Sequence, residues 1–209
     1  MTRFLVVFDV DSTLIEDEVI ELLADCAGKR AEVAEITERA MLGELDFAES
    51  LEARVATLAG LSSDVIGQTL NRIRFTRGAA SLIEAVHERG GKVGAVSGGF
   101  NQLLEPLAKI LQLDFWRANQ LEITAGILTG KVVGKIVDRQ AKAEALVEWA
   151  AACEVPISKT TAVGDGANDL DMMAQSGLSV AFNAKPRVRQ AANLVVGGND
   201  LSALIPLLP

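Results

Sequence analysis

Short apolar runs that end at Gly or Asp alternate along this chain with longer stretches in which apolar residues recur at helical spacing. This alternation is typical of βα units around a parallel sheet, because buried parallel strands consist of continuous apolar runs. The predicted strands are Phe4–Phe8, Lys92–Val96, Thr160–Val163, Leu178–Phe182 and Leu194–Val196. The predicted helices are Gly78–Glu88, Asn101–Leu111, Gln140–Cys153, Asn168–Ser176 and Lys185–Ala192. Leu121–Ile123 and Ile127–Val133 flank a Gly-containing turn, which predicts a β-hairpin appended to the sheet.

Residues 15–74 have a different pattern. They show helical periodicity, no strand-like run and many Glu and Ala residues. We therefore expect an α/β core made of residues 1–14 and 75–209, with an all-helical cap domain, residues 15–74, inserted after the first strand. Because the βαβ pattern resumes near Gly78, the cap is expected to lie over the carboxyl edge of the sheet, where such folds bind ligands.

Composition narrows the class of protein. The 209 residues carry a net charge of −8, and 49% are hydrophobic, which excludes a disordered chain and disfavours a nucleic-acid-binding protein. Cys26 and Cys153 lie far apart without a CxxC pair, so neither a disulfide framework nor a zinc site is expected. No apolar run approaches the ~18 residues of a membrane span, and Asp9 interrupts the first apolar run. We expect a soluble, cytoplasmic protein that binds neither nucleic acid nor a membrane.

Two acidic motifs follow predicted strands. The first strand continues into Asp9-Val10-Asp11-Ser12-Thr13-Leu14, where the two-residue spacing places both carboxylates on one side of an extended segment. A later strand continues into Gly164-Asp165-Gly166-Ala167-Asn168-Asp169, where the glycines permit a tight turn before a helix. Because the carboxyl ends of parallel strands share one rim, these four aspartates are expected to converge. Four carboxylates in one cleft require a cation, and a ligand set of oxygen atoms alone favours Mg²⁺.

A third strand ends in a turn of small residues, Ser97-Gly98-Gly99. Ser97 supplies a hydroxyl, and the glycines let backbone N–H groups approach an anion closely, as in a phosphate-binding loop. A turn without a ligand is the alternative interpretation. Ser97 is not expected to be a nucleophile, because the single histidine, His87, falls in the last turn of a predicted helix and is expected to interact with the helix dipole there.

One lysine falls on an apolar helix face. Lys142 shares the spacing i, i+3, i+4, i+7, i+8 with Ala145, Leu146, Trp149 and Ala150. One interpretation is a lysine that extends its ammonium group to solvent from the edge of a packed helix. The other is a cation that neutralises a bound phosphate.

Two charges break the apolar pattern of the cap. Arg54 falls on the apolar face that begins at Phe47, and Glu18 falls on the apolar face that begins at Ile15. Buried charges are rare unless they are paired, so two interpretations stay open. The two residues pair with each other, or they face a ligand that offers a carboxylate to Arg54 and a cation to Glu18.

Taken in order, these motifs resemble those of the haloacid dehalogenase superfamily and, within it, the phosphoserine phosphatase family. The resemblance runs from Phe8 to about Lys185. It rests on Asp9-Val10-Asp11-Ser12-Thr13-Leu14, Ser97-Gly98-Gly99, Lys142 and Gly164-Asp165-Gly166-Ala167-Asn168-Asp169.

Three residues of the predicted cap extend this resemblance, and two positions depart from the family pattern. Glu18, Phe47 and Arg54 match the Glu, Phe and Arg with which the family reads its substrate. Val10 and Arg139 stand where the family pattern has other residues. No regulatory domain of the kind that some members carry precedes residue 1, so feedback control by such a domain is not expected.

The resemblance implies a Rossmann-like core and the Mg²⁺-dependent hydrolysis of O-phospho-L-serine to L-serine and phosphate, the last step of serine biosynthesis. It implies that Asp9 is the nucleophile that forms an aspartyl-phosphate, and that Asp11 is the general acid and base. The implied metal ligands are the carboxylates of Asp9 and Asp165 and the backbone carbonyl of Asp11. The residues implied to bind substrate are Glu18, Phe47, Arg54, Ser97, Gly98, Lys142 and Asn168. Asp169 is implied to support Lys142 or a metal-bound water.

Other functions stay compatible with the sequence. The same core chemistry could act on phosphohomoserine or another small phosphomonoester, or could transfer the phosphoryl group to an alcohol instead of water. A phosphate or metal sensor with the same fold is the alternative that is not an enzyme. The chain is expected to be a monomer or a homodimer, because the apolar segment Leu201–Pro209 can pack on the core or on a second subunit.

Overall fold

One sheet of seven strands forms the centre of the protein, whose computed structural model describes residues 2–41 and 45–209. The strands are β1 (Leu5–Phe8), β2 (Lys92–Phe100), β3 (Phe115–Thr124), β4 (Ile127–Val133), β5 (Thr160–Gly164), β6 (Leu178–Phe182) and β7 (Leu194–Val196). Their order across the sheet is β4-β3-β2-β1-β5-β6-β7. Neighbouring strands are parallel except for β3 and β4, which form the predicted antiparallel hairpin.

Helices connect these strands and cover the sheet. They are α1 (Val19–Cys26), α2 (Arg30–Met41), α3 (Phe47–Ala56), α4 (Asp64–Leu70), α5 (Ala79–Glu88), α6 (Asn101–Leu111), α7 (Arg139–Ala152), α8 (Leu170–Gln175) and α9 (Pro186–Ala191). Within the described residues, no helix is both long and apolar enough to cross a membrane.

β1 is buried on both of its faces, and this explains why its sequence is apolar without alternation. Val6 and Phe8 point into one hydrophobic cluster, which includes side chains of α5 and α6. Leu5 and Val7 point into a second cluster, which includes side chains of α7, α8 and α9. β1 therefore lies between two layers of helices and brings the residues that follow it to a rim formed by several strands.

The strand register brings the predicted motifs together. Phe8, the last residue of β1, lies opposite Ala95 of β2 and Val163 of β5. Asp9 follows Phe8, and its backbone N–H donates to the carbonyl of Val163 at 2.9 Å. The acidic motifs after β1 and β5 and the Ser-Gly-Gly segment of β2 therefore meet at one edge of the sheet, as the parallel arrangement predicted.

The segment between residues 15 and 75 is helical in its described part, with α1–α4 in the order of the chain. The stretches of backbone that enter and leave this segment lie side by side. The N–H of Glu16 donates to the carbonyl of Arg74 at 2.9 Å, and Ile15 pairs antiparallel with Phe75. The apolar side chains of the segment continue the cluster that contains Phe8. The predicted fold class, an α/β core with a helical cap after the first strand, is confirmed. The division at residues 14/15 and 74/75 stays a prediction, and residues 42–44 of the predicted cap lie outside the described residues.

Three element boundaries differ from those predicted. β3 begins at Phe115 rather than Leu121, because Arg117, Asn119 and other polar residues conceal the strand pattern in a segment that β2 pairs with directly. β2 continues to Phe100 through the segment predicted as a turn. The helix predicted from Asn168 is a short 3₁₀ turn, Ala167–Asp169, followed by α8.

The C-terminal segment packs on the core. Leu201–Leu207 forms a 3₁₀ helix whose Leu201 and Leu204 are buried in the same cluster as Phe8, whereas Leu207 is exposed.

Candidate active site

Lys142 occupies the centre of the site. It projects from α7 and is fully buried, and its ammonium group donates to Oδ1 of Asp9 and, at 2.8 Å, to Oδ1 of Asp169. Burial lowers the pKa of Lys142, but the adjacent carboxylates of Asp169 and Asp9 outweigh this effect and raise the pKa above its ordinary value. Lys142 is therefore a fixed cation inside the protein, and the interpretation as a lysine that reaches solvent is wrong.

Asp169 links this cation to the loop after β5. Its second oxygen, Oδ2, accepts from the backbone N–H groups of Gly166 at 3.0 Å and Asp165 at 3.2 Å. The loop also needs Gly164, because a Cβ at that position would lie 2.4 Å from Asp169 Oδ2. Asp169 thus holds Lys142 with one oxygen and shapes the acidic loop with the other.

Three carboxylates converge at this edge of the sheet. Asp9, Asp165 and Asp169 each offer an oxygen atom within 4.8 Å of the others. Burial and the charge of Asp169 raise the pKa of Asp9 well above its ordinary value, and the same two causes raise the pKa of Asp165 to about 7. One lysine does not balance this charge, so the cluster favours a bound cation.

Asp11 lies beside this cluster and turns toward the cap. Its Oδ2 accepts from the N–H of Val19, the first residue of α1, at 3.4 Å, and its buried Oδ1 has no partner among the described residues. Burial and the neighbouring carboxylates of Glu18 and Asp9 raise the pKa of Asp11 well above its ordinary value. Such a carboxyl group is poised to hold a proton and to release it to a ligand.

The end of β2 supplies a hydroxyl and two glycines. Ser97 is buried, and its Oγ accepts from the N–H of Gly99 at 2.8 Å. A Cβ on Gly99 would lie 3.0 Å from Ser97 Oγ and 3.6 Å from Asp11 Oδ2, so both polar groups lie close to this glycine. A Cβ on Gly98 would lie 3.0 Å from the ring of Phe47, which α3 of the cap places against the loop.

Glu18 joins the cap to the loop after β1. The hydroxyl of Ser12 donates to Glu18 Oε1 at 2.7 Å, and Ser12 adopts a left-handed backbone conformation with φ 57°. Burial raises the pKa of Glu18, and the hydrogen bond from Ser12 offsets part of this rise. A cation at this position would stabilise the ionised form of Glu18.

Arg54 is held by neutral groups. Its Nε donates to the carbonyl of Ser50 at 3.1 Å and its Nη1 to Thr37 Oγ1 at 3.4 Å. No ion pair joins Arg54 to Glu18, or to any other carboxylate, among the side chains that the structure describes. Burial lowers the pKa of Arg54, although the more distant charges of Glu18 and Asp11 oppose this effect. The interpretation in which Glu18 and Arg54 pair with each other is therefore wrong.

Asn168 follows the acidic loop and lies next to Gly166, because a Cβ on Gly166 would lie 2.2 Å from Asn168 Oδ1. The structure thus places the predicted site residues in two groups, which meet where Ser12 contacts Glu18 and where Phe47 lies against Gly98. The core contributes Asp9, Asp11, Ser97, Gly98, Lys142, Asp165, Asn168 and Asp169, and the cap contributes Glu18, Phe47 and Arg54. This arrangement can bind a cation and an anion in the core and a group of mixed charge at the cap.

Comparisons with known proteins agree with this geometry. A model of the haloacid dehalogenase-like hydrolase family matches residues 6–174. Phosphoserine phosphatase SerB2 of Mycobacterium tuberculosis is 53% identical over 99% of this chain and 51% of that protein. A phosphoserine phosphatase of Streptococcus thermophilus is 50% identical over 98% of this chain and 95% of that protein. A solved structure described as a phospho-aspartyl intermediate analogue of phosphoserine phosphatase is 37% identical, covers 100% of both chains and has a TM-score of 0.95.

The chain belongs to the phosphoserine phosphatase family of haloacid dehalogenase-like hydrolases. It spans about half the length of the first relative and almost the whole length of the second. The predicted family is confirmed.

The two departures from the family pattern are accommodated in this phosphoserine phosphatase family member. Val10 is buried in the hydrophobic core. Arg139, the first residue of α7, forms two hydrogen bonds with Asp171 of α8, from Nε at 2.6 Å and from Nη2 at 2.5 Å. Arg139 and Asp171 therefore tie together the helix that carries Lys142 and the helix that follows the acidic loop.

Two residues of this family member have partners that the sequence pattern does not indicate. Thr37 contacts Arg54, and nothing in the pattern around Thr37 indicates that role. His87, predicted to interact with a helix dipole, lies 2.9 Å from Oδ2 of Asp114 through its Nε2 and so has a carboxylate partner that its sequence neighbours did not indicate.

Proposed function

We propose that this chain is a phosphoserine phosphatase that hydrolyses O-phospho-L-serine to L-serine and phosphate through an aspartyl-phosphate on Asp9, with Mg²⁺ as its cofactor. The observation that carries the choice of substrate is the pair of partly buried charges, Glu18 and Arg54, that are not paired with each other. Phosphoserine is a small zwitterion with a phosphate. It offers an ammonium group to Glu18 and a carboxylate to Arg54, and a sugar phosphate offers neither.

The acidic cluster supports the choice of metal. The cluster consists of the carboxylates of Asp9, Asp165 and Asp169, and Lys142 is the one cation among the described side chains that is hydrogen-bonded to them. Oxygen donors with surplus negative charge fit Mg²⁺ better than zinc or another soft metal. Both oxygens of Asp169 already accept hydrogen bonds from the protein, so Asp169 acts as a support. Asp9, Asp165 and the backbone carbonyl of Asp11 would hold the ion, which supplies charge neutralisation for the phosphate when bound.

The first half of the reaction is the transfer of the phosphoryl group to the protein. The carboxylate of Asp9 attacks phosphorus, and the bond from phosphorus to the serine oxygen breaks. Asp11 donates its proton to that oxygen, and its raised pKa suits this role. Lys142, the hydroxyl of Ser97 and the N–H of Gly98 hold the other phosphate oxygens, and Asn168 orients the phosphoryl group.

The second half returns Asp9 to its free form. Asp11, now ionised, takes a proton from a water molecule, whose oxygen attacks phosphorus and displaces the carboxylate of Asp9. The cap must open to admit phosphoserine and close to exclude other water, because Phe47 and Val19 of the cap lie directly against Gly98 and Gly99. The core and cap boundaries, a monomeric or homodimeric state and a cytoplasmic location stay predictions.

Phosphate release tests the proposed function. We expect Mg²⁺-dependent release from L-phosphoserine at a higher kcat/KM than from phosphohomoserine, phosphothreonine or p-nitrophenyl phosphate, and EDTA should abolish it. Release from p-nitrophenyl phosphate alone would leave the Asp9 chemistry in place and contradict the choice of phosphoserine. No release from any of the four would favour a phosphate or metal sensor.

A variant of Arg54 tests the role of the cap. Arg54→Ala should lower kcat/KM for L-phosphoserine roughly 100-fold, because a hydrogen-bonded charge pair with the substrate carboxylate is lost, and should change p-nitrophenyl phosphate hydrolysis little. Arg72→Ala is the matched control, since Arg72 lies on the surface of the cap and pairs with Asp25. Equal losses for both substrates in Arg54→Ala would contradict the role assigned to Arg54.

A further inference from the structure

Asn119 connects three segments that surround the phosphate-binding groups of the core. It lies on β3 and is buried, with 2% of its surface exposed. Its Nδ2 donates to the carbonyl of Gly98 at 2.8 Å, and its Oδ1 accepts from the N–H of Val137 at 2.8 Å. These partners fix the orientation of the amide, because the flipped side chain would put a donor against the N–H of Val137 and an acceptor against the carbonyl of Gly98.

The carbonyl of Gly98 belongs to the same peptide group as the N–H of Gly99. That N–H donates to Ser97 Oγ, so the peptide between the two glycines is held from both ends, by Asn119 at its oxygen and by Ser97 at its nitrogen. A peptide group between two glycines has the least steric restriction on its rotation. The hydrogen bond from Asn119 removes that freedom.

The orientation of this peptide determines what Ser97 can do. Because Ser97 Oγ accepts from Gly99, one of its two lone pairs is engaged, and no described acceptor takes its hydroxyl proton. The proton is therefore available to a phosphate oxygen. If the peptide rotated, the carbonyl of Gly98 would turn toward Ser97 and accept the proton itself, and a carbonyl oxygen would then face the anion.

We propose that Asn119 is a positioning residue for phosphate binding: it holds the Gly98–Gly99 peptide so that the hydroxyl of Ser97 is presented as a donor to the phosphate. This inference rests on the proposed function for its substrate, but the phosphate site itself suffices for its test. Asn119 contacts Gly98 and Val137, and it acts through Ser97.

A pair of matched variants separates this role from a structural one. Asn119→Asp keeps the acceptor for Val137 and replaces the donor to Gly98 with a carboxylate oxygen. Asn101→Asp is the control, because the amide of Asn101 also donates one hydrogen bond to a backbone carbonyl and accepts one from a backbone N–H. Both bonds are made with Ala118 of β3, at 3.0 Å each, and neither involves Gly98. Each variant is prepared alone and together with Ser97→Ala.

We expect Asn119→Asp to lower kcat/KM by about 10- to 100-fold, the loss usual for groups that orient a ligand-binding side chain. The factor should be the same for L-phosphoserine and p-nitrophenyl phosphate, since both present a phosphate to Ser97. In the Ser97→Ala background the further effect of Asn119→Asp should fall to within about twofold, because the two residues act as one unit. Asn101→Asp should change kcat/KM little in either background.

Several results would overturn the proposal. One is an equal loss from Asn119→Asp in both backgrounds, since a purely structural effect is independent of Ser97. A second is a loss confined to L-phosphoserine, and a third is the same loss in Asn101→Asp. If Asn119→Asp does not fold at the assay temperature, as judged by circular dichroism, Asn119→Ala replaces it in the same set of measurements.

The affinity for inorganic phosphate in the presence of MgCl₂, measured by calorimetry, provides a readout without turnover. Asn119→Asp should weaken it in the wild-type background and leave it unchanged in the Ser97→Ala background. If the wild-type chain hydrolyses no substrate but binds phosphate in this pattern, the proposed function fails and the role of Asn119 stands. An affinity that Asn119→Asp leaves unchanged overturns the role of Asn119, and so does a wild-type chain that does not bind phosphate.

Discussion

Lys142 donates a 2.8 Å hydrogen bond to Oδ1 of Asp169, and both side chains are completely buried. Both oxygens of Asp169 accept hydrogen bonds from the protein, because its other oxygen accepts from two backbone N–H groups of the acidic loop. One carboxylate thus positions both the cation of the site and the loop that carries Asp165. A buried charge pair of this kind is costly to break, since the remaining charge cannot reach water.

We therefore expect Asp169→Asn to affect stability and activity together. The new amide puts a donor against Lys142 or against the N–H groups of Asp165 and Gly166. The free energy of unfolding should fall by about 3 kcal/mol, measured by urea titration in EDTA, and kcat for L-phosphoserine should fall roughly 10- to 100-fold. Asp64→Asn, a change at an exposed position of α4, is the control for kcat. Full activity in Asp169→Asn would contradict the support of Lys142 by Asp169.

Asp9→Asn separates binding from chemistry. The amide cannot attack phosphorus, so kcat should fall by roughly a thousandfold or more. Lys142 keeps Asp169 as a partner, so the fold should persist and the far-UV circular dichroism spectrum should not change. Phosphate transferred from L-[³²P]phosphoserine should be found on rapidly quenched wild-type protein and be absent from the variant. Label on Asp9→Asn would show that another residue is the nucleophile.

Ser12 is expected to affect selectivity through Glu18. Ser12→Ala removes the hydrogen bond that favours the ionised form of Glu18, so the attraction to the substrate ammonium should weaken. KM for L-phosphoserine should rise about fivefold, which corresponds to about 1 kcal/mol. KM for p-nitrophenyl phosphate, which has no ammonium group, should not change. Ser81→Ala, on an exposed face of α5, is the control, and an equal rise of KM for both substrates would count against this role of Ser12.

The ionisation of Asp114 is expected to make the free energy of unfolding depend on pH. Burial raises the pKa of Asp114, but hydrogen bonds from Lys92, the N–H of Val93 and His87 outweigh it, and the net pKa lies below its ordinary value of 3.8. A carboxylate whose pKa is lowered on folding contributes stability above pH 3.8, and that contribution is lost as the pH falls through the folded-state pKa.

Asp114→Asn should therefore destabilise the protein at pH 7 by about 1–3 kcal/mol, because hydrogen bonds to a charged acceptor are lost. The difference from wild type should shrink as the pH falls below 3.8. Urea unfolding at a series of pH values measures both quantities, with the exposed change Asp64→Asn as the control. A difference that is constant with pH would show that Asp114 contributes by packing and not by charge.

Much of the site follows from local sequence. Apolar runs that stop at Asp9 and at Gly164 identify buried parallel strands and, with them, the rim where their acidic residues meet. The cap could be recognised because its helical periodicity contains no strand pattern. The charges of Glu18 and Arg54 stand out against apolar faces, and this contrast is visible in the sequence alone.

Other features could not be predicted because they depend on contacts between distant residues. β3 is concealed by polar residues such as Arg117 and Asn119, and its pairing with β2 becomes clear only in the folded chain. Whether Glu18 and Arg54 pair with each other was open, because side-chain directions on different helices do not follow from their spacing. The same limit applies to Asn119, whose partners belong to β2 and to the segment before α7.

The sequence by itself determined the α/β class, the helical cap, the acidic rim and the chemical types of the site residues, because each depends on patterns within about ten neighbouring residues. Only the tertiary structure decided which groups touch. Asp9 and Lys142 are 133 residues apart and share a buried hydrogen bond. Such a contact depends on the strand order and on the burial of whole helices, and these are settled by packing across the entire chain.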